Sequence, residues 1–272
     1  MPKFVLLLGT QKGGSTWFYD NLTRHPDFES AGMKEWRSLY WLPLEKDHIE
    51  STQRENIFYV EEKFWNQLST KKKRKFARTS FSHYLSVMHS SARWNPSVQA
   101  VGDGTPSSTG KMSAEKLIYI RKQLLHLDFE VKPFFFMRDP VKRHISMCKM
   151  RYVKYKKRGN FDSYLISELQ HIKAGNSRYE KIIPVVENVF PNIFFAFSEN
   201  MQKYPAMYMN DFWDFIGITR LPEDSLINSS NPAKIKFDIS ESVVSQLRNS
   251  FEKTYEFCVE RFNSNLPSSW MI

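Results

Sequence analysis

"GTQKGGSTWF", residues 9–18, follows the apolar run Phe4–Leu8 and decides how the rest of the chain is read. Five consecutive apolar residues are the pattern of a short strand buried on both faces of a parallel sheet. The glycines behind it let backbone N–H groups face a ligand. Ser15 and Thr16 then open a helix that runs to Arg24 and stops before Pro26. A helix N-terminus carries unpaired N–H donors and partial positive charge, so strand, glycine turn and helix together suit an anion. Read without a ligand, the same unit is a tight strand-to-helix turn. In the ATP-type loop, G-x-x-x-x-G-K-[ST], the lysine follows the second glycine. Here Gly9 and Gly14 keep the glycine spacing, but Ser15 stands at the lysine position and Lys12 lies inside the loop. No clear strand ends in a carboxylate placed for magnesium, because the next strong strand ends in Arg138. The expectation is a phosphate compound handled without a metal.

Outward from this unit, strands and helices alternate. Val98–Val101 reads as a strand ending in the turn "GDGTP", and Ser113 as the cap of a helix through Leu127 with Leu117, Ile120, Leu124 and Leu127 on one face. "VKPFFFM", residues 131–137, is a further buried strand; Asp139 then caps a helix that starts at Pro140 and runs to about Tyr155. "NIFFAFS", residues 192–198, is another strand, Asp211–Ile216 belongs to a helix, and Ser240–Phe262 reads as one long C-terminal helix. The order predicts an α/β fold: a P-loop-like parallel sheet flanked by helices on both faces, in a single domain over residues 1–272. Ligands of such sheets bind beyond the carboxyl ends of the strands.

Composition agrees with an ordinary globular chain of 272 residues, 41% hydrophobic and 25% charged. The net charge of +10 favours anionic ligands: nucleotides, nucleic acid, acidic glycans or a membrane surface. Seven Trp and 22 Phe exceed what cores usually need, so some are candidates for ring platforms. Only Cys148 and Cys258 are present, far apart, which leaves no disulfide framework or zinc pattern and makes a cytoplasmic location the default. No apolar run reaches the ~20 residues of a membrane span, and no signal peptide is recognised.

The second decisive stretch is "FFFMRDPVKRHISMCKMRY", residues 134–152. Arg138 at a strand end and Ser146 on the next helix can converge on one phosphate, the arginine through its planar donor fork. Arg-Asp-Pro alone is equally a strand exit with a good helix cap. Together, Lys12-Gly13-Gly14-Ser15-Thr16 and Arg138-Asp139-Pro140…Arg143…Ser146 resemble the sulfotransferase family that uses 3'-phosphoadenosine 5'-phosphosulfate (PAPS). That family pairs a K-[SG]-G-[ST]-T loop with R-[DN]-P-x-x-R-x-x-S. His25-Pro26 after the first helix, "FSENM" and "FWDFIGI" are further likenesses, and the resemblance spans nearly the whole chain.

The resemblance implies that Lys12, Gly13, Gly14, Ser15 and Thr16 bind the 5'-phosphosulfate and that Arg138 and Ser146 bind the 3'-phosphate. Lys12 would assist departure of the phosphate oxygen, and the product would be adenosine 3',5'-bisphosphate. Trp17 matches the tryptophan that stacks on adenine in cytosolic members; a core role is the alternative. "GMKEWRSLYWL", residues 32–42, resembles the Lys-Glu segment of glycan-modifying, heparan-sulfate-type members. That likeness implies Glu35 as general base and Lys34 as a phosphate or sulfate contact. "VGDGTPSST", residues 101–109, resembles the family's G-E-K-T-P-x-Y segment, which places Asp103 and Thr105 at the acceptor. Gly104 replaces the lysine of that segment, and Pro106 stands where phenol-modifying members carry a histidine base, so Glu35 or Asp103 must supply the carboxylate. Asp103 is equally a turn residue. His83 and His89 stay outside the catalytic assignment. Near Ser198 the adenine-contacting tyrosine of cytosolic members is missing.

Lys234 and Lys236 match the family's late basic loop poorly. The basic run "KKKRKFAR", residues 71–78, is either a solvated face or a landing strip for an acidic acceptor. The acceptor implied is a glycan or another hydroxyl-bearing small molecule, with no nucleic-acid partner. The alternatives are a metal-dependent P-loop kinase or NTPase, a nucleic-acid-binding protein, and a catalytically inactive relative that binds nucleotide or glycan.

Overall fold

The computed structural model describes residues 1–41, 54–106, 113–169, 172–227 and 237–271. Lys234 and Lys236, and residues 107–109 of the 101–109 segment, lie outside the described residues. Five strands form one sheet: β1 (Lys3–Gly9), β2 (Phe28–Glu29), β3 (Ala100–Asp103), β4 (Glu130–Met137) and β5 (Phe194–Phe197). Every pairing is parallel, and the order is β2-β3-β1-β4-β5.

The apolar run of β1 is buried because it is the central strand. Phe4 to Leu8 are at most 2% exposed, which only a strand covered on both faces achieves. Its side chains alternate between two cores. Phe4, Leu6 and Leu8 join Phe135 and Met137 of β4 on one face; Val5 and Leu7 join Phe134 and Phe136 on the other. Helices Phe81–Trp94, Ala114–His126, Pro140–Lys154, Tyr179–Val189 and Glu252–Phe262 contribute to the first core, Ser15–Leu22 and Pro205–Ile216 to the second. Much of the aromatic excess is spent here: Phe18 meets Phe136 at 4.5 Å and Phe212 at 4.4 Å between ring centroids, both edge-on. Edge-to-face contacts add about 0.5–1.5 kcal/mol each to the burial of the rings.

The expected caps are present. Ser113 accepts from Lys116 N and Asp139 Oδ1 accepts from Lys142 N at 2.8 Å, with Pro140 in the first turn. Some boundaries move. β3 starts at Ala100 rather than Val98, because Val98 N closes a turn onto Asn95 O and only later residues reach the ladder. Ser198 begins the helix Ser198–Lys203 instead of ending β5. The C-terminal helix is two helices, Glu241–Ser250 and Glu252–Phe262, broken at the fully buried Phe251 with φ −109°. The edge strand β2, only two residues long, has no period to read. The basic run forms the helix Thr70–Ala77, capped by Ser69.

With β3 on one side of β1 and β4 on the other, the chain reverses its direction of travel across the sheet at β1. The crevice this opens lies beyond the carboxyl ends of β1, β3 and β4. The loop 9–14, Asp103 and Arg138 all stand there.

Candidate functional site

The glycine loop is pinned to the neighbouring strand end. Thr10 N and Thr10 Oγ1 both donate to Phe136 O, at 2.8 and 3.0 Å, and Gly13 N closes onto Thr10 O at 3.1 Å. A Cβ on Gly13 would lie 3.0 Å from the backbone oxygen Phe136 O and 3.1 Å from Thr10 O, so that position is closed to a side chain by backbone, whereas a Cβ on Gly14 would meet only the flexible end of Met201 at 3.0 Å. Gly14 also has φ +101° and stands at the N-cap of Ser15–Leu22, where no side chain caps the helix. Ser15 is buried and Thr16 exposed. Lys12 has φ +74°, a left-handed conformation that a non-glycine residue holds only when its surroundings impose it.

Arg138 follows β4 directly and reaches the loop: its Nη1 donates to Lys12 O at 3.5 Å. Burial holds the Lys12 ammonium below its ordinary range, and the positive charge of Arg138 pushes the same way. Two cations held together at a half-buried helix start form a site that an anion would relieve. The strand end is fixed by Tyr179, whose hydroxyl accepts from Arg138 N at 3.2 Å and donates to Arg138 O at 2.8 Å. Asp139 is fixed by Glu199 Oε1, which accepts from Asp139 N at 3.1 Å, and by Tyr255, whose hydroxyl donates to Asp139 Oδ2 at 2.9 Å. Arg143 is fully buried; it donates to Gln11 O at 3.2 Å and to Ser177 Oγ at 2.5 Å. It therefore holds the loop from behind. Ser146 lies half-buried three residues further on the same helix.

The facing wall is organised by Asp103. Its Oδ1 accepts from Thr105 N at 2.9 Å and Thr105 Oγ1 at 2.5 Å, and its Oδ2 accepts from Tyr84 at 3.1 Å. Burial raises its pKa to about 6 despite these donors and a further one from the Trp36 backbone. Thr105 Oγ1 accepts from Arg37 N at 3.0 Å, and Gly104 N donates to Lys34 O at 3.1 Å. Segment 34–37 is thereby sewn to the end of β3. Gly104 is also forced: a Cβ there would sit 2.4 Å from the ring of Tyr19, so the lysine of the related segment has no room. Lys34 Nζ pairs with Asp20 at 3.8 Å, and burial lowers its pKa although Asp20 and Glu35 oppose that. Glu35 Oε2 accepts from Arg37 Nε and Nη2 at 3.1 and 2.9 Å, and Arg74 Nη2 donates to Glu35 O at 3.4 Å.

The sequence shows no clear strand ending in a carboxylate placed for magnesium; in the structure β3 does end in a carboxylate, Asp103, beside β1. Both of its oxygens are already bonded within the wall, which disfavours a role as metal ligand. Trp17 is half-buried, packs on the second core, and donates its indole N–H to Ile227 O. His83 bonds Ser80, and His89 faces Arg93. Arg74 and Arg78 belong to the basic run 71–78, which the sequence leaves as a solvated face or a landing strip for an acidic acceptor, whereas nothing in the sequence singles out Arg37, Tyr179 or Glu199.

No known family profile matches the chain, and no curated protein sequence matches it. Among solved structures, the chain is similar to a sulfotransferase from Alicyclobacillus acidocaldarius, with a TM-score of 0.59, 15% identity, and 100% of this chain and 99% of that one covered. It is also similar to the sulfotransferase STF9 from Mycobacterium avium, with a TM-score of 0.51, 13% identity, and 94% and 76% coverage. At these identities the likeness establishes the fold: this chain has the sulfotransferase fold. Among the described residues no helix is long and apolar enough to cross a membrane.

Proposed function

We propose that the protein transfers a sulfuryl group from PAPS to an acceptor hydroxyl, and that the acceptor is a carbohydrate. The observation that carries the reading is the meeting of Lys12 and Arg138 on one glycine-rich helix start. The donor's 5'-phosphosulfate lies against Lys12 and residues 13–16, its 3'-phosphate against Arg138 and Ser146. The acceptor oxygen attacks sulfur in line as the bond from sulfur to the 5'-phosphate oxygen breaks, and the electron pair leaves on that oxygen. Lys12 stabilises the charge that grows there, which lowers the transition state more than the ground state. The acceptor's proton passes to the Glu35 carboxylate. Asp103, with both oxygens engaged, acts by holding segment 34–37 in place.

Titration of adenosine 3',5'-bisphosphate against ATP with magnesium tests the donor. The bisphosphate is expected to bind more tightly and without metal, and Lys12→Ala and Arg138→Ala to lose that binding. Preference for ATP with magnesium would assign the loop to a P-loop kinase or NTPase.

A second reading, an inactive nucleotide-binding relative, draws on the pairing of Glu35 with Arg37. Single-turnover transfer from labelled PAPS across neutral and acidic saccharides separates the two. Transfer abolished in Glu35→Gln with bisphosphate affinity intact supports catalysis, whereas a wild-type enzyme inert towards every acceptor supports the inactive relative.

A further inference from the structure

Beside Glu35 three arginines, Arg37, Arg74 and Arg78, come together, and among the described residues a single carboxylate is bonded to them. Arg74 and Arg78 lie four residues apart, on the helix Thr70–Ala77 and at its C-cap, and so share a face. Arg37 enters from the segment sewn to β3, with φ +57°, a left-handed conformation held by its N–H bond to Thr105 Oγ1. Burial holds Arg78 below the ordinary arginine range, and the charges of Arg74 and then Arg37 push in the same direction. The Nε atoms of both Arg74 and Arg78 are buried and have no hydrogen-bond partner among the described residues. A buried guanidinium N–H without an acceptor is unfavourable, and more so because the group is charged. The Glu35 carboxylate is the one acid bonded to this group among the described residues, and it is taken by Arg37. Arg74 Nη2 donates to the Glu35 backbone carbonyl, so one of the two side chains with an unmatched Nε reaches the assigned base directly.

We propose that Arg37, Arg74 and Arg78 form an oxyanion subsite of the acceptor, so that the substrate carries a carboxylate or sulfate close to the hydroxyl that receives the sulfuryl group. This deepens the transfer reading above and rests on it for the word acceptor. Arginine suits the task because its planar fork binds a carboxylate or sulfate through two parallel bonds. The subsite gives a second role to Arg37. An acceptor anion that draws Arg37 onto itself loosens the hold of Arg37 Nε and Nη2 on Glu35 Oε2 and frees that oxygen to take the proton. A neutral sugar leaves Glu35 paired.

The test reads the unmatched atoms directly. Protein labelled with ¹⁵N-arginine and saturated with adenosine 3',5'-bisphosphate is titrated with glucuronate, inorganic sulfate and glucose while the Nε–Hε signals are followed, with Arg74→Lys and Arg78→Lys used for assignment. Saturable movement of the Arg74 and Arg78 signals with glucuronate or sulfate, and none with glucose, is the expected result; which anion binds more tightly identifies the acceptor's group. The double variant Arg74→Gln/Arg78→Gln is expected to weaken that anion about 10–100-fold, as loss of charged hydrogen bonds implies. Its bisphosphate affinity should stay unchanged, which also reports that it folds. Silent signals in a bisphosphate-bound protein overturn the subsite alone. Responsive arginines in a protein that ignores the bisphosphate overturn the transfer reading instead.

Discussion

The two walls of the crevice are built differently. The wall proposed for the donor is backbone: a glycine loop, a helix start and two strand ends, with Gly13 leaving no room for a side chain beside Phe136 O, Gly14 at φ +101° and Arg138 fixed by both of its own peptide groups. The facing wall, proposed for the acceptor, is side chain: Asp103, Thr105, Tyr84 and Tyr19 sew segment 34–37 to β3 and bring it against the basic helix. Backbone sites leave signatures in contiguous sequence, because only certain residues permit the geometry. Side-chain sites are assembled from residues whose spacing means nothing until the chain is folded.

Substitutions distinguish the walls by what they damage. The largest effect is expected on the donor wall. Lys12→Ala should reduce single-turnover transfer about 10²–10³-fold, the usual loss when one transition-state donor is removed. Its thermal midpoint should hardly move, since Lys12 sits strained and partly desolvated at no structural gain. Equal losses of stability and rate would mean that the donor wall is as structural as its partner.

Next comes Asp103. Its folded pKa of about 6 exceeds the ~3.9 of an unfolded aspartate, so the native state holds the proton more tightly. Stability from this group is fully present below about pH 4 and is lost as pH rises through about 6. The change is about 3 kcal/mol over that window. Urea midpoints of wild type and Asp103→Asn, measured from pH 4 to 7, check this: the variant should lack that component of the slope. An identical slope in both proteins would mean that Asp103 is more solvated than its burial indicates.

Gly104→Ala should follow, at about 1–3 kcal/mol of destabilisation, the usual cost of overpacking, because the new methyl meets the Tyr19 ring. The smallest effect is expected far from both walls. Ser113→Ala removes one helix cap and should cost about 1 kcal/mol, with bisphosphate affinity untouched.

How far the sequence could be read follows the same division. β1, β4 and the helix at Pro140 were legible because burial on two faces and a cap leave local marks, and Lys12, Arg138 and Ser146 came with them. Glu35 and Lys34 were legible only through a likeness, and the strand that Asp103 terminates was placed two residues early because its start depends on a turn at Asn95. The helices Phe81–Trp94 and Tyr179–Val189, which carry Tyr84 and Tyr179, were not anticipated. Each works through one hydroxyl across 19 or 41 residues of chain, a pairing with no local trace. The aromatic surplus that hinted at ring platforms instead fills both cores to a large extent.

Tyr19 joins the two walls. It stands on the helix that begins at the glycine loop, its ring covers Gly104, and its hydroxyl donates to Met33 O just before Lys34 and Glu35. The same side chain thus belongs to the helix that starts at the loop and touches the segment that leads into Lys34 and Glu35. Thermodynamic linkage makes such coupling reciprocal. If occupation of the loop moves Tyr19, the grip on whatever lies beside segment 34–37 changes by some factor, and occupation of that segment changes the grip at the loop by the same factor; Tyr19→Phe, which removes the hydroxyl bond to Met33 O, tests whether that factor passes through this one side chain.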